Sequence, residues 1–357
     1  MKTRTIFGPV GAVITAGVLA LGLAACGSDG GSGGSSEGNS AAASSGSSSS
    51  KCPNGIAKPG APADPSGGAT GTGTATLPTG TPGAGKPAVT LGSKDFAEQF
   101  LLGQLYKQAL EARGYTVNYK ENIGSSEIID KALTSNQIQL YPEYTGVIYS
   151  NAELANLGDQ PESAEVTYEG AKKWEESRGY ELLNPTPFQD ADGVAVTDAF
   201  AEKYCLKTIA DLKNVPSFTY AGPKENRNRY QGVLGLQKAY GLNNFQFKAL
   251  PTGNQYSALD RGDVDSVAIF TTDAALASGK YTVLPDTKGI FGFQQVAPVV
   301  KKTVIQQQGP EFSQTLNAVS ALLTTDAIIS MNKEVQINQK KPADVARVFL
   351  KANKIVS

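Results

Sequence analysis

The chain has 357 residues, with 32 Lys and Arg against 33 Asp and Glu, a net charge of −1 and no histidine. This balance offers no basic field to gather nucleic acid, and the missing imidazole removes the usual general base, metal ligand and pH sensor, leaving carboxylate, lysine or tyrosine chemistry. Three cysteines, Cys26, Cys52 and Cys205, are too few and too scattered for a zinc ribbon or a disulfide framework.

Lys2 and Arg4 precede an apolar run from Ile6 to Leu23, so residues 1–25 are expected to be a targeting segment. A transmembrane anchor is the other reading of that run. The sequence Leu23-Ala24-Ala25-Cys26 resembles a bacterial lipobox, which implies that Cys26 becomes the lipid-modified first residue, anchored at the outer face of a cytoplasmic membrane. Residues 26–86, rich in Gly, Ser, Ala, Thr and Pro, are expected to be a disordered tether, long enough to span roughly 40 Å or more. Cys52 lies inside it, and either pairs with Cys205 in an oxidising compartment or stays a free thiol.

The folded part starts with a strand at Ala88–Gly92 and a helix carrying Phe96, Phe100, Leu101, Leu105 and Ala109, ended by Gly114. A strand at Tyr115–Tyr119, a short helix to Ser135 and a strand at Ile138–Tyr141 follow. Pro142 is expected to end that strand, leaving Glu143, Tyr144, Thr145 and Gly146 in a strand-end loop where ligands of open α/β sheets bind. This order gives a mostly parallel sheet. A charged helix at Pro161–Ser177 carries Trp174, and Tyr180–Leu183 leads to a second aromatic and acidic loop ending in Asp192.

A second lobe is expected over 193–296, with strands at Gly193–Thr197, Phe218–Ala221, Phe245–Leu250 and Ser266–Phe270 and a helix at Gly232–Tyr240. The first lobe then spans 87–192 and 297–357, the return carrying a strand at Ala297–Lys301 and three helices near Glu311–Leu323, Asp326–Asn338 and Ala343–Ala352.

The strand-end loops hold Lys94, Tyr144, Asp192, Arg229 and Phe270, while Phe293 and Gln294 precede the late strand. Lys94 and the planar guanidinium of Arg229 suit a carboxylate. The rings of Tyr144 and Phe270 suit an ammonium group, with Asp192 or Glu143 supplying direct charge to it. Singly, each is better read as a solvated charge or a packed ring; convergence between lobes is what makes a site. Glu143 with Asp192 also offers a carboxylate pair for hydrolysis, although nothing in the sequence sets their separation. Asp263 with Asp265 is read as a turn before a strand rather than as a calcium site. No dinucleotide, P-loop or nucleophile-elbow motif is present.

The stretches Leu91-Gly92-Ser93-Lys94-Asp95-Phe96-Ala97-Glu98-Gln99, Leu140-Tyr141-Pro142-Glu143-Tyr144-Thr145-Gly146, Gly232-Val233-Leu234-Gly235-Leu236 and Ala297-Pro298-Val299-Val300, in this order, resemble the substrate-binding proteins of osmoprotectant ABC importers of the glycine betaine, choline and carnitine type. The resemblance implies a type II periplasmic-binding-protein fold, α/β with two lobes closing on the ligand like a hinge. It places Lys94 and Arg229 on the carboxylate-binding positions, with Arg227 as another register, and Tyr144 and Phe270 on the aromatic cage. Asp192 and Gln294 stand where the family has rings, and Val147 where it has threonine. These departures favour a cation bearing N–H or O–H groups over a bare trimethylammonium.

The expected function is therefore a lipid-anchored, monomeric receptor on the extracytoplasmic face. It needs no cofactor or metal, binds no nucleic acid, and delivers a small cationic or zwitterionic osmolyte to a permease and its ATPase. The readings it competes with are an extracellular carboxylate-dependent hydrolase and a protein-binding envelope lipoprotein.

Overall fold

The computed structural model describes Cys52 and residues 76–151 and 161–357. The targeting segment, Cys26 and most of the expected tether lie outside the described residues. Two five-stranded sheets organise the rest.

The first sheet is built from β1 (Val89–Gly92), β2 (Val117–Lys120), β3 (Leu140–Tyr144), β4 (Tyr180–Leu182) and β10 (Val296–Lys301), in the order β2-β1-β3-β10-β4. The second contains β5 (Asp192–Thr197), β6 (Phe218–Gly222), β7 (Phe245–Ala249), β8 (Ser266–Phe270) and β9 (Tyr281–Leu284), in the order β7-β6-β8-β5-β9. In each, three neighbouring strands run parallel while β10 or β5 opposes both of its neighbours. The sheets are therefore mixed, and the opposing strand of each is the one that follows a crossing between lobes.

The helices of the first lobe are α1 (Ala97–Ala112), α2 (Ser126–Thr134), α3 (Thr145–Asn151) and α4 (Ala164–Ser177). The second lobe has α5 (Asp198–Tyr204), α6 (Gly235–Lys238) and α7 (Gln255–Asp260), and the return carries α8 (Lys302–Gln308), α9 (Pro310–Leu322), α10 (Thr325–Gln336) and α11 (Pro342–Ala352).

Strand periodicity explains why each sheet has two cores. Along β10, Val296 and Val300 join the cluster with Leu101, Leu105, Phe312 and Phe349, while Ala297 and Val299 face Ile129, Leu133 and Tyr141 on the other side. In β5, Val194 and Val196 face one cluster and Ala195 the other. Both faces being covered, β5 and β10 read as apolar runs rather than as alternation.

Several expectations are corrected. Pro142 does not end β3, which runs on to Tyr144, so Glu143 and Tyr144 are strand residues and α3 starts at Thr145. Pro142 faces Pro298 of β10, a rung between two residues without N–H, and β1 pairs with β3 only at Leu140. A proline is tolerated where no ladder donor is required. β9 and α8 were not anticipated, and the helix expected at Gly232–Tyr240 is broken by non-helical backbone at Gln231 and Gly232 before α6.

The described residues of the expected tether make contacts with the folded part. Cys52 is bonded to Cys205 with Cα atoms 5.4 Å apart. Further along, Leu77 packs on the first-lobe core and the Gly83 N–H donates to the Arg113 carbonyl at 3.0 Å.

Glu175 of α4 is buried, with Oε1 3.6 Å from Arg178 and Oε2 lacking a hydrogen-bond partner. Burial pushes its carboxyl up to about 7, against the pull of Arg178 and aided by the nearby Asp130 and Glu143 carboxylates. A raised folded-state value means that its contribution is full below the ordinary carboxylate range and is lost as pH rises through about 7, on the order of 1–3 kcal/mol. Thermal melts should therefore show lower stability at pH 8 than at pH 5. Glu175→Gln should flatten that slope, and an unchanged slope would remove Glu175 as its source.

Candidate functional site

The chain crosses between lobes at two adjoining segments, where Gln189 bridges Gln295 and the Asp190 N–H donates to the Gln294 carbonyl at 3.0 Å. Beside this crossing lies a cavity of about 410 Å³, a size suited to a small ligand. Lys94, Tyr144, Asp192, Arg229, Phe270 and Gln294 all line it. Their roles, however, differ from one another.

Lys94 follows β1, and its ammonium is buried against Glu143 Oε1 at 2.5 Å and donates to Ser126 Oγ at 3.1 Å. It also lies 4.2 Å from the centroid of the Tyr144 ring. The expected carboxylate-binding lysine thus already has a carboxylate. Glu143 also accepts from the Tyr144 N–H at 2.7 Å, so it is engaged within the first lobe and not free to act with Asp192 as a hydrolytic pair.

Arg229 likewise has a partner. Its Nε and Nη2 grip the Glu127 carboxylate of α2, with Nε–Oε1 3.1 Å, Nη2–Oε1 2.8 Å and Nη2–Oε2 2.9 Å. This two-pronged pair spans the cleft from the second lobe to the first. Burial pushes the Glu127 carboxyl up, but the Arg229 guanidinium outweighs it and holds the group below the usual carboxylate range. Arg227, the other register, stacks on Phe247 at 5.0 Å and does not line the cavity.

Asp192 is different. It opens β5, lines the cavity, and its carboxylate accepts no hydrogen bond from the described residues. Burial pushes it up to about 6, opposed by the charges of Arg229 and Lys94. At neutral pH it is an ionised group with spare hydrogen-bonding capacity.

Around it stand three rings. Phe96 neighbours both expected cage residues in near-parallel arrangement, with centroids 6.2 Å from Tyr144 and 5.3 Å from Phe270. Sequence periodicity had placed Phe96 only on the apolar side of α1. Gln294 lines the cavity but turns its amide inward, Oε1 accepting from the Val147 N–H at 3.2 Å and Nε2 donating to the Phe291 carbonyl at 3.3 Å. A Cβ on Gly146 would lie 2.6 Å from that Nε2, so only glycine fits the start of α3 here.

A buried polar network beneath the rings was not anticipated. Glu98, in the first turn of α1, accepts from Tyr144 Oη at 2.8 Å, Thr272 Oγ1 at 2.6 Å and Asn332 Nδ2 at 2.8 Å. The same Thr272 hydroxyl lies 2.8 Å from Asp190 Oδ1. One hydroxyl proton cannot serve two ionised carboxylates at once. Burial pushes both upward. The network ties α1, β3, the crossing and α10 together.

Comparison with known proteins decides the family. The model of the substrate-binding domain of ABC-type glycine betaine transport systems matches residues 87–352. The chain belongs to that family. As a member of it, the chain is a solute-binding receptor, of a class that serves the permease and ATPase of an importer from the extracytoplasmic side, and its fold is the type II periplasmic-binding-protein fold. It is similar to the glycine-betaine-binding protein of Pseudomonas aeruginosa, 30% identical over 74% of this chain and 88% of that protein. It is also similar to the ergothioneine transport permease/binding protein of Helicobacter pylori, 27% identical over 74% of this chain and 47% of that one. The crystal structure of a glycine betaine/carnitine/choline ABC transporter protein superposes with a TM-score of 0.60 at 23% identity, covering 75% of this chain and 99% of the other.

The two ends of Tyr144 can be separated experimentally. Tyr144→Phe removes the donor to buried Glu98 and should cost about 1–2 kcal/mol in denaturant unfolding, with ligand affinity held within about threefold. Tyr144→Ala should in addition weaken binding of an organic cation by tenfold or more, on the order of a desolvated cation–π contact. Equal affinity for Ala and wild type would take the ring out of the site.

Proposed function

We propose that this receptor captures a small organic cation, of the quaternary ammonium type or a related amine, and delivers it to its importer. The observation that carries the reading is Asp192, a carboxylate without a hydrogen-bond partner among the described residues, beside the rings of Phe96, Tyr144 and Phe270. Charge attraction and ring quadrupoles act on the same cation from different sides. Lys94, Tyr144, Asp192, Arg229, Phe270 and Gln294 are proposed as the residues around the ligand, with Tyr144, Asp192 and Phe270 touching it and Lys94, Arg229 and Gln294 shaping the wall. The names of the relatives, glycine betaine and ergothioneine binders among them, support a quaternary ammonium group in the ligand.

Attachment through lipid-modified Cys26, action as a monomer and lobes near 87–192, 193–296 and 297–357 belong to the same proposal. The Cys52–Cys205 disulfide suits an oxidising, exported location.

Titration calorimetry on the chain from Gly27 onward, with choline, glycine betaine, carnitine, proline betaine and simple amines, tests the reading. At least one cation should bind saturably, and about tenfold more weakly at pH 5 than at pH 7.5, because Asp192 must lose its proton to meet the charge. Silence across the panel, or binding indifferent to pH, would contradict it.

A further inference from the structure

We propose that Glu127 is a built-in competitor for carboxylates: by holding Arg229 across the cleft it makes the site favour organic cations without a carboxylate over zwitterions that carry one. The inference rests on reading the cleft as an organic-cation site and narrows the ligand class within it.

Each cation lining the cavity faces a carboxylate of the protein itself. Lys94 is paired with buried Glu143, Arg229 with Glu127 through two nitrogens, and the exposed Lys224 lies 3.9 Å from Glu225. Among the described residues Asp192 has no such partner. A ligand's ammonium group therefore meets an open anion, whereas its carboxylate meets cations that are already neutralised.

Glu127 competes well because it is tethered. Fixed on the first turn of α2 and aligned for a forked guanidinium bond, it acts at an effective concentration on the order of millimolar or more, which a dissolved carboxylate has to exceed. The pair is not locked in place, since the Glu127 side chain is 45% exposed and finds water when displaced. It also spans the two lobes, together with Gln231 Nε2 donating to the Gly146 carbonyl at 3.3 Å, so a ligand that leaves it intact keeps a cross-cleft contact. A carboxylate that takes Arg229 forfeits that contact.

Calorimetric titration of the chain from Gly27 onward, wild type and Glu127→Gln, with choline and glycine betaine as probes tests this. Glutamine keeps the size and removes the charge. Wild type should bind choline at least about tenfold more tightly than glycine betaine, and Glu127→Gln should tighten glycine betaine by about tenfold while choline stays within about threefold. An unchanged ratio in the variant, or a wild type that prefers glycine betaine, overturns the role of Glu127 and leaves the cation-receptor reading standing. Folded wild type that binds neither probe overturns the role of Glu127, and silence across the wider panel of amines overturns the cation reading as well.

Discussion

Everything in this site depends on where the chain crosses between lobes. The two crossings lie side by side, joined by backbone contacts of Gln189 and Asp190 with Gln294 and Gln295, and they are pinned from below by the hydroxyl of Thr272 between two buried carboxyls. Because Asp190 is held there, Asp192 two residues later starts β5 at the mouth of the cleft. Because Gln294 is held there, its amide caps the turn into α3 and sets the close approach of Gly146. The crossing and the binding wall are thus one structure.

The electrostatic character of the cavity follows from pairing rather than from composition. Lysine, arginine and several carboxylates line the space, which on a simple count suits a zwitterion. Once Lys94 meets Glu143 and Arg229 meets Glu127, the cavity's charges without a partner among the described residues are carboxylates, the exposed Asp95 at the rim and Asp192 within. Buried or half-buried charges are tolerated when matched, and an unmatched one in a cavity is a place where a counter-charge from outside gains most.

Much of this was legible in the sequence. The alternation of strand and helix runs gave two α/β lobes, and the order of short motifs around Lys94, Tyr144 and Ala297 brought together residues that do share one cavity. What escaped has physical causes. Glu127 and Arg229 are 102 positions apart, and Glu98 reaches Thr272 over 174, so neither partnership leaves a local signal. Phe96 sits where helical spacing and a cavity wall make the same demand for an aromatic residue. Pro142 was misread because its effect on a strand depends on whether the neighbour asks for its N–H, a property of the partner strand. β9 and α8 are short, and short elements carry little periodicity.

The central claim is that an unpartnered Asp192 carboxylate attracts the ligand's positive charge. Its most direct test is the affinity of Asp192→Asn for choline at pH 7.5, measured against wild type. Removing the charge while keeping the shape should weaken binding by about tenfold or more, the worth of one charge-assisted contact in a shielded cavity. Affinity unchanged in the asparagine variant would contradict the account, and would mean that the rings alone hold the cation.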